Sequence, residues 1–302
     1  MTNTQQTGLI TSVLGRHYQL ETNDGQRLIA HSRGKKKEAV VGDRVIWIPS
    51  HDEAVIESIV PRENLLYRQD ETRTKAFAAN IDQVLMILAA EPEFSERQLS
   101  RALIAAADQQ IEIKVILNKA DLHEPFERAW ERLQPYVKMG YEIIPAQFRN
   151  AKTLSQLACV LKDKTTLLLG PSGVGKSTLI NTLIPNASVQ TGELSAALKT
   201  GKHTTTASQW YWLKDQPEIS TGAIIDSPGF QEFGVLHIQA DELASLMPDI
   251  KVHLGNCRFY NCTHMHEPGC GVIQAVENEQ ISQTRYVIYQ EIMDSLLNLP
   301  NY

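Results

Sequence analysis

The chain has 302 residues, enough for two or three domains of ordinary size, and its 42% apolar content excludes global disorder. A net charge of −6 excludes a polycation that holds nucleic acid by bulk attraction, while leaving local patches open. The longest apolar run, Val84 to Ala90, is strand-sized and far short of the ~20 residues that span a bilayer.

The N-terminus, Met-Thr-Asn-Thr-Gln-Gln, lacks the basic and apolar regions of a secretory signal. Three of the four cysteines fall within fourteen residues, which favours a metal site in a reducing compartment over a disulfide scaffold. A soluble, cytoplasmic, multidomain protein with no membrane association is expected.

Residues 1–68, net +1, read as short strands broken by turns. Arg16–Glu21 and Gln26–His31 flank the turn Asn23-Asp24-Gly25, a hairpin signal, and Val45–Ile48 and Ala54–Ile59 follow. A small all-β barrel fits, of a size that often binds oligonucleotides on one face. The one dense basic run, Arg33-Gly-Lys35-Lys36-Lys37, is either a solvated loop or a phosphate contact.

Residues 69–235, net −2, change to alternating strands and helices. Strands are predicted at Ile81–Ala90, Ile111–Leu117, Tyr141–Pro145, Thr165–Leu169, Gln209–Leu213 and Ala223–Ile225. Helices are predicted at Glu96–Gln109, Pro125–Met139, Lys152–Leu161 and Lys176–Ile184. Such alternation implies a parallel sheet covered on both faces. Residues 236–302, net −5, show no strong strand; Asp241–Leu246 and Gly271–Leu297 look helical, with the cysteine cluster between them. Cys159, alone in an apolar helix, reads as a core residue.

Gly170-Pro171-Ser172-Gly173-Val174-Gly175-Lys176-Ser177 matches GxxxxGK[ST] between a predicted strand and a predicted helix. Backbone N–H groups from Gly173 to Thr178 can turn inward around a phosphate at the positive end of a helix. Lys176 can neutralise phosphate oxygens, and the Ser177 hydroxyl suits Mg²⁺. A bound nucleoside triphosphate is expected. Asn118-Lys119-Ala-Asp121 selects the base: the Asp121 carboxylate can accept from guanine N1–H and N2–H₂ side by side, a donor pair that adenine lacks. Asn118 could bond the base edge or tie neighbouring loops, and the Lys119 stem can lie over the purine.

Asp226-Ser-Pro-Gly229 supplies a DxxG element in which Asp226 can hold Mg²⁺ through water and the Gly229 N–H can sense the γ-phosphate. Between these lies Gly201-Lys-His203-Thr204-Thr205-Thr206, where a threonine, Thr205 at the centre, could complete the Mg²⁺ shell. GTPases normally run P-loop, switch threonine, DxxG, NKxD. Here NKxD comes first, an order that circular permutation produces without changing the fold. The switch segment then feeds directly into the C-terminal region, which nucleotide state could reposition.

Cys257, Cys262, His264 and Cys270 supply three thiolates and one imidazole, the set for a closed tetrahedral Zn²⁺ site and therefore a structural one. His266 is a rival to His264 for the fourth position, and His253 reads as an ordinary helix-end histidine. The acidic balance of this region argues against DNA reading; protein contact, or docking by a few exposed basic residues, fits better.

The permuted order of NKAD, GPSGVGKS, GKHTTT and DSPGF, followed by the CysX₄Cys-X-HisX₅Cys cluster, resembles the RsgA-type GTPases of small-ribosomal-subunit maturation. The resemblance spans essentially the whole chain, including Gly42-Asp43-Arg44-Val45 in the first segment. Ser227 stands where the family more often has Thr, and the basic run carries no aromatic.

The resemblance implies a multidomain α+β protein. It would comprise an OB-type β-barrel over 1–68, a circularly permuted α/β P-loop GTPase domain over 69–235 and a helical zinc-binding domain over 236–302. It further implies a slow GTPase, stimulated by the 30S subunit late in its assembly, with 16S rRNA contacted by the barrel and zinc domain. One structural Zn²⁺ would be present, Mg²⁺ would accompany GTP, and the protein would be a monomer.

Phe230 follows DxxG, where better-known GTPases place a glutamine that orients the attacking water. Intrinsic hydrolysis should therefore be slow, with His203 or a ribosomal group positioning the water; Gln231 is one residue out of place. One alternative is a GTP-dependent RNA- or ribosome-binding module in which hydrolysis is incidental. A P-loop ATPase or kinase is disfavoured by Asp121, and a zinc-dependent hydrolase by a metal set with no open position.

Overall fold

Hydrophobic residues in the first segment close a barrel. In the computed structural model, which describes residues 5–32, 39–50, 53–69, 74–184, 187, 208–213, 221–227 and 234–298, it is built from β1 (Gln6–Leu14), β2 (His17–Thr22), β3 (Arg27–Ser32), β4 (Arg44–Ser50) and β5 (Glu53–Ile59). The strands run in the order β1-β2-β3-β5-β4, and β4 returns to pair with β1, so the ring closes. Ile10, Leu20, Val45, Trp47 and Ile56 fill it. Asp43, fully buried at the entry to β4, accepts two hydrogen bonds from the Arg62 guanidinium at 2.7 and 2.8 Å and one from the Val40 N–H.

The sequence pattern does not reveal β1. Residues 8–12 are buried on both faces, because Ile10 fills the barrel interior while Leu9 on the opposite face joins the main hydrophobic core, so no period of two survives. A second hairpin, β6 (Leu65–Gln69) and β7 (Thr74–Ala79), also escapes the pattern. It carries Leu66, Phe77 and Ala78 into the main hydrophobic core.

The central layer alternates as expected: β8 (Gln83–Ala89), α1 (Glu96–Asp108), β9 (Glu112–Asn118), α2 (His123–Lys138), β10 (Ile143–Pro145), α3 (Ala151–Leu161), β11 (Thr165–Leu169), α4 (Lys176–Leu183), β12 (Gln209–Trp212) and β13 (Ala223–Asp226). Strands β10-β9-β8-β11-β13 are parallel neighbours, and β12 adds an antiparallel edge. All seven residues of β8 are buried because both faces are covered. Val84, Met86 and Leu88 meet α1 and α2, whereas Leu85, Ile87 and Ala89 meet α3 and α4.

Beyond β12 the sheet does not end. Gln209 pairs with Ser12 of β1, making eleven continuous strands from the central domain into the barrel. Trp212 Nε1 reinforces the join by donating to Glu21 Oε1 at 2.6 Å.

The last segment comprises a 3-10 turn at Leu243–Leu246, a short α5 (Pro248–Lys251), α6 (Gly271–Glu277) and α7 (Gln283–Leu297). The single helical stretch expected over 271–297 is divided at Glu279, which adopts φ +58°, and restarts where the Ser282 hydroxyl caps α7. Its hydrophobic residues share one core with α1, from Leu99, Leu103 and Met247 to Ile288, Ile292 and Met293. Cys159 is exposed and not a core residue: α3 buries Thr153, Leu157, Ala158 and Leu161, which leaves position 159 on the solvent side.

Candidate nucleotide site and metal cluster

Parallel strands bring their carboxyl ends to one edge of the sheet. There β9 ends in Asn118, β11 runs into Gly170 and β13 ends in Asp226, so three motifs far apart in sequence converge. Gly170 adopts φ +154°, and a Cβ there would stand 2.3 Å from the Ile87 carbonyl oxygen. Gly175, at φ +105°, caps α4 and would drive a Cβ to within 2.6 Å of Asn118 Nδ2. Only glycine admits these two turns.

Lys176 Nζ donates to the carbonyls of Gly170 and Pro171 at 2.6 and 3.0 Å, folding the side chain back over its own loop. Burial lowers its pKa, and the charge of Asp226 partly offsets the shift. Burial in turn raises the Asp226 carboxyl to about 6 against the pull of Lys176. Asp226 Oδ1 is buried with no hydrogen-bond partner among the described residues. A buried carboxylate oxygen left open at the same sheet edge as the half-buried Ser177 fits the oxygen-ligand chemistry of Mg²⁺, directly or through water. Ser227, next along, donates from Oγ to the Leu168 carbonyl at 2.7 Å, a structural task that serine performs as well as threonine.

Asn118 is buried, and its Nδ2 donates to the Val174 carbonyl at 2.8 Å while Oδ1 accepts from the Phe148 N–H at 3.3 Å. It ties the NKxD loop to the P-loop. Lys119 adopts φ +65° and donates from Nζ to the Glu91 carbonyl at 2.5 Å, and Asp121 is exposed beyond it. The turn Ala146–Phe148, which sequence reasoning missed, belongs to this end of the site. The Ala146 carbonyl accepts from the Ala120 N–H at 3.0 Å, and Phe148 lies against Gly175. Its position just after β10, at the same sheet edge, was the available signal. His203, Thr205 and Gly229 lie outside the described residues, as do Thr204, Thr206, Phe230, Gln231 and the basic run 33–37.

At the other end of the chain, Cys257, Cys262, His264 and Cys270 bring their ligand atoms within 4.8 Å of one another. His264 Nδ1 lies 3.5 Å from Cys257 Sγ and 3.4 Å from Cys270 Sγ. Burial and the neighbouring thiols raise the Cys262 thiol, and burial lowers the His264 imidazole. Thiols this close resist joint ionisation until a cation is present, and a neutral imidazole is a ligand, so the donor set fits Zn²⁺.

His266 is exposed, and its N–H donates to Glu267 Oε2. Burial opposes the charge on Glu267. Even so, hydrogen bonds from Thr263 N–H and Oγ1, Met265 N–H and His266 N–H hold its carboxyl well below the usual carboxylate range. That carboxylate shapes the loop carrying His264. From α7, the Tyr286 hydroxyl donates to the His264 carbonyl at 2.8 Å and Tyr289 to the Thr263 carbonyl at 2.7 Å.

A P-loop with NKxD before it and DxxG after it, on a sheet of this order, defines a circularly permuted P-loop GTPase. Residues 59–236 match the model of the RsgA GTPase family, and the chain belongs to that family. It is 56% identical over 295 residues to the small ribosomal subunit biogenesis GTPase RsgA of Variovorax paradoxus (strain S110), covering 96% of this chain and 92% of that protein. It is 46% identical to the protein of the same name from Bordetella pertussis, over 97% of both chains. Among solved structures, YjeQ from Thermotoga maritima superposes with TM-score 0.73 at 28% identity, over 98% of this chain and 99% of that one. YloQ, a circularly permuted GTPase, superposes with TM-score 0.69 at 26% identity, over 99% of this chain and 98% of that one.

Proposed function

We propose that the protein hydrolyses GTP to GDP and phosphate on the small (30S) ribosomal subunit, acting in its late maturation and stimulated by it. The observation that carries the nucleotide reading is the Asn118–Val174 hydrogen bond, which fixes the base-selecting loop against the phosphate-binding loop. The names of the relatives support the ribosomal part.

In this reading the N–H groups of residues 170–178 cradle the phosphates, Lys176 turns from its two carbonyls onto the β- and γ-oxygens, and Asp121 accepts from the guanine edge. Ser177 and Asp226 hold Mg²⁺, whose charge offsets that of the phosphates. Thr205 and Gly229 respond to the γ-phosphate, and His203 orients the attacking water in place of the glutamine that Phe230 displaces. One Zn²⁺ on Cys257, Cys262, His264 and Cys270 holds the last domain in shape.

The domains are 1–68, 69–235 and 236–302; the first and last contact 16S rRNA, and the protein works as a cytoplasmic monomer. The test is GTP turnover by the purified protein with and without 30S subunits, with ATP and 50S subunits as controls. A slow basal rate raised many-fold by 30S alone is expected. A rate indifferent to 30S would leave a nucleotide site without its ribosomal role.

A further inference from the structure

Among the described residues of the last segment, four Phe and Tyr side chains divide into two pairs. Tyr286 and Tyr289 are buried and donate their hydroxyls to carbonyls of the metal loop. Phe259 and Tyr260 do the opposite: they lie between the ligands Cys257 and Cys262, are 42% and 103% exposed, and take no part in the hydrophobic core. Beside them, the Arg258 guanidinium lies 5.5 Å from the centre of the Phe259 ring. The loop's base is anchored where the Arg258 N–H donates to the Gly269 carbonyl at 3.0 Å. Two rings and a guanidinium are thus carried outward on a loop fixed at both ends by the metal cluster.

The local charge contradicts that of the domain. Residues 236–302 hold three Lys/Arg against eight Asp/Glu, yet 251–266 contains Lys251 and Arg258 and no carboxylate. The carboxylate that follows, Glu267, is committed to four internal hydrogen bonds. Exposed ring faces beside a guanidinium on an anchored loop suit an unpaired nucleobase, with a phosphate on Arg258. A protein partner would gain little from a cation here unless it were acidic.

We infer that the Arg258-Phe259-Tyr260 loop is an RNA-stacking surface that receives one or two unpaired bases; this rests on the ribosomal reading above and deepens it. The experiment measures binding of the zinc-loaded protein to 30S subunits with a non-hydrolysable GTP analogue, alongside base-reactivity probing of the RNA. Phe259→Ala with Tyr260→Ala is expected to weaken binding by roughly 5- to 100-fold. The same change should restore reactivity at one or two unpaired bases that the wild type protects. Tyr260→Phe, which keeps the ring, should retain both properties, and zinc content and melting temperature establish that each variant is folded.

Unchanged binding by the folded double variant overturns the inference, as does weakened binding with no base changing reactivity, which would assign the loop to a ribosomal protein. Failure of the wild type to bind 30S at all would instead overturn the ribosomal reading.

Discussion

Arg285 of α7 faces Asp249 of α5 through two parallel hydrogen bonds of 2.8 and 2.9 Å, with the arginine 2% exposed. The remaining nitrogen donates to Ser100 Oγ of α1 at 2.6 Å, and the guanidinium lies 5.3 Å from the Tyr136 ring centre. One buried cation therefore joins the last helices of the chain, beside the cysteine cluster, to α1 and α2 of the central layer. Arg285→Ala leaves Asp249 buried without its partner and is expected to cost about 3–5 kcal/mol in urea unfolding. Replacing both residues by leucine should recover most of that loss, since neither charge is then stranded. A single substitution costing under ~1 kcal/mol would contradict the pairing as the structure presents it.

Base selection is the simplest property to invert. Asp121→Asn turns one acceptor toward guanine into an N–H₂ donor facing the base's own donor. GTP affinity is expected to fall roughly 100-fold or more, from the loss of two charge-assisted hydrogen bonds. Xanthosine triphosphate, which presents a carbonyl oxygen at that position, should gain affinity. Competition between the two nucleotides for the variant checks both signs; an unchanged preference for GTP would remove Asp121 from base recognition.

Metal analysis distinguishes the two histidines. His264→Ala and Cys262→Ser should lower the zinc content below one ion per chain and depress the melting temperature. His266→Ala, altering an exposed side chain, should leave both near the wild-type values. A strong chelator should act like the His264 change, because the binding free energy of a structural ion is also folding free energy.

For the water-positioning role, His203→Ala is expected to abolish subunit-stimulated turnover while nucleotide affinity stays nearly intact. Single-turnover hydrolysis on 30S, compared with equilibrium binding of the same variant, separates chemistry from binding. Normal stimulated turnover would assign the role to a ribosomal group.

Where a segment's burial has a simple period, or a motif has its own backbone logic, the sequence is readable. Strand Thr165–Leu169 was legible to the residue, because a short apolar run followed by a glycine-rich turn leaves little choice. The glycines of 170–175 and the spacing of the cysteines likewise announce their chemistry locally. What stayed hidden depends on partners distant in sequence. Strand β1 lacks alternation because the barrel interior covers one face and the main hydrophobic core covers the other. The Ala146–Phe148 turn has no residue type of its own to mark it and gains meaning only beside Asn118 and Gly175. Arg285 reads as a surface charge until Asp249 and Ser100 are seen around it. Cys159 misled because an apolar helix still has an outer side.

The core shared by α1 and α7 also sets a timetable. Leu99, Ser100 and Leu103 are made about a third of the way through synthesis, but the side chains that cover them, through Arg285, Ile292 and Met293, are made nearly two hundred residues later. The nascent nucleotide domain thus carries an uncovered apolar helix face until almost the end of translation. Any shortened product that stops at the DxxG segment would keep that face exposed, inviting aggregation or chaperone capture.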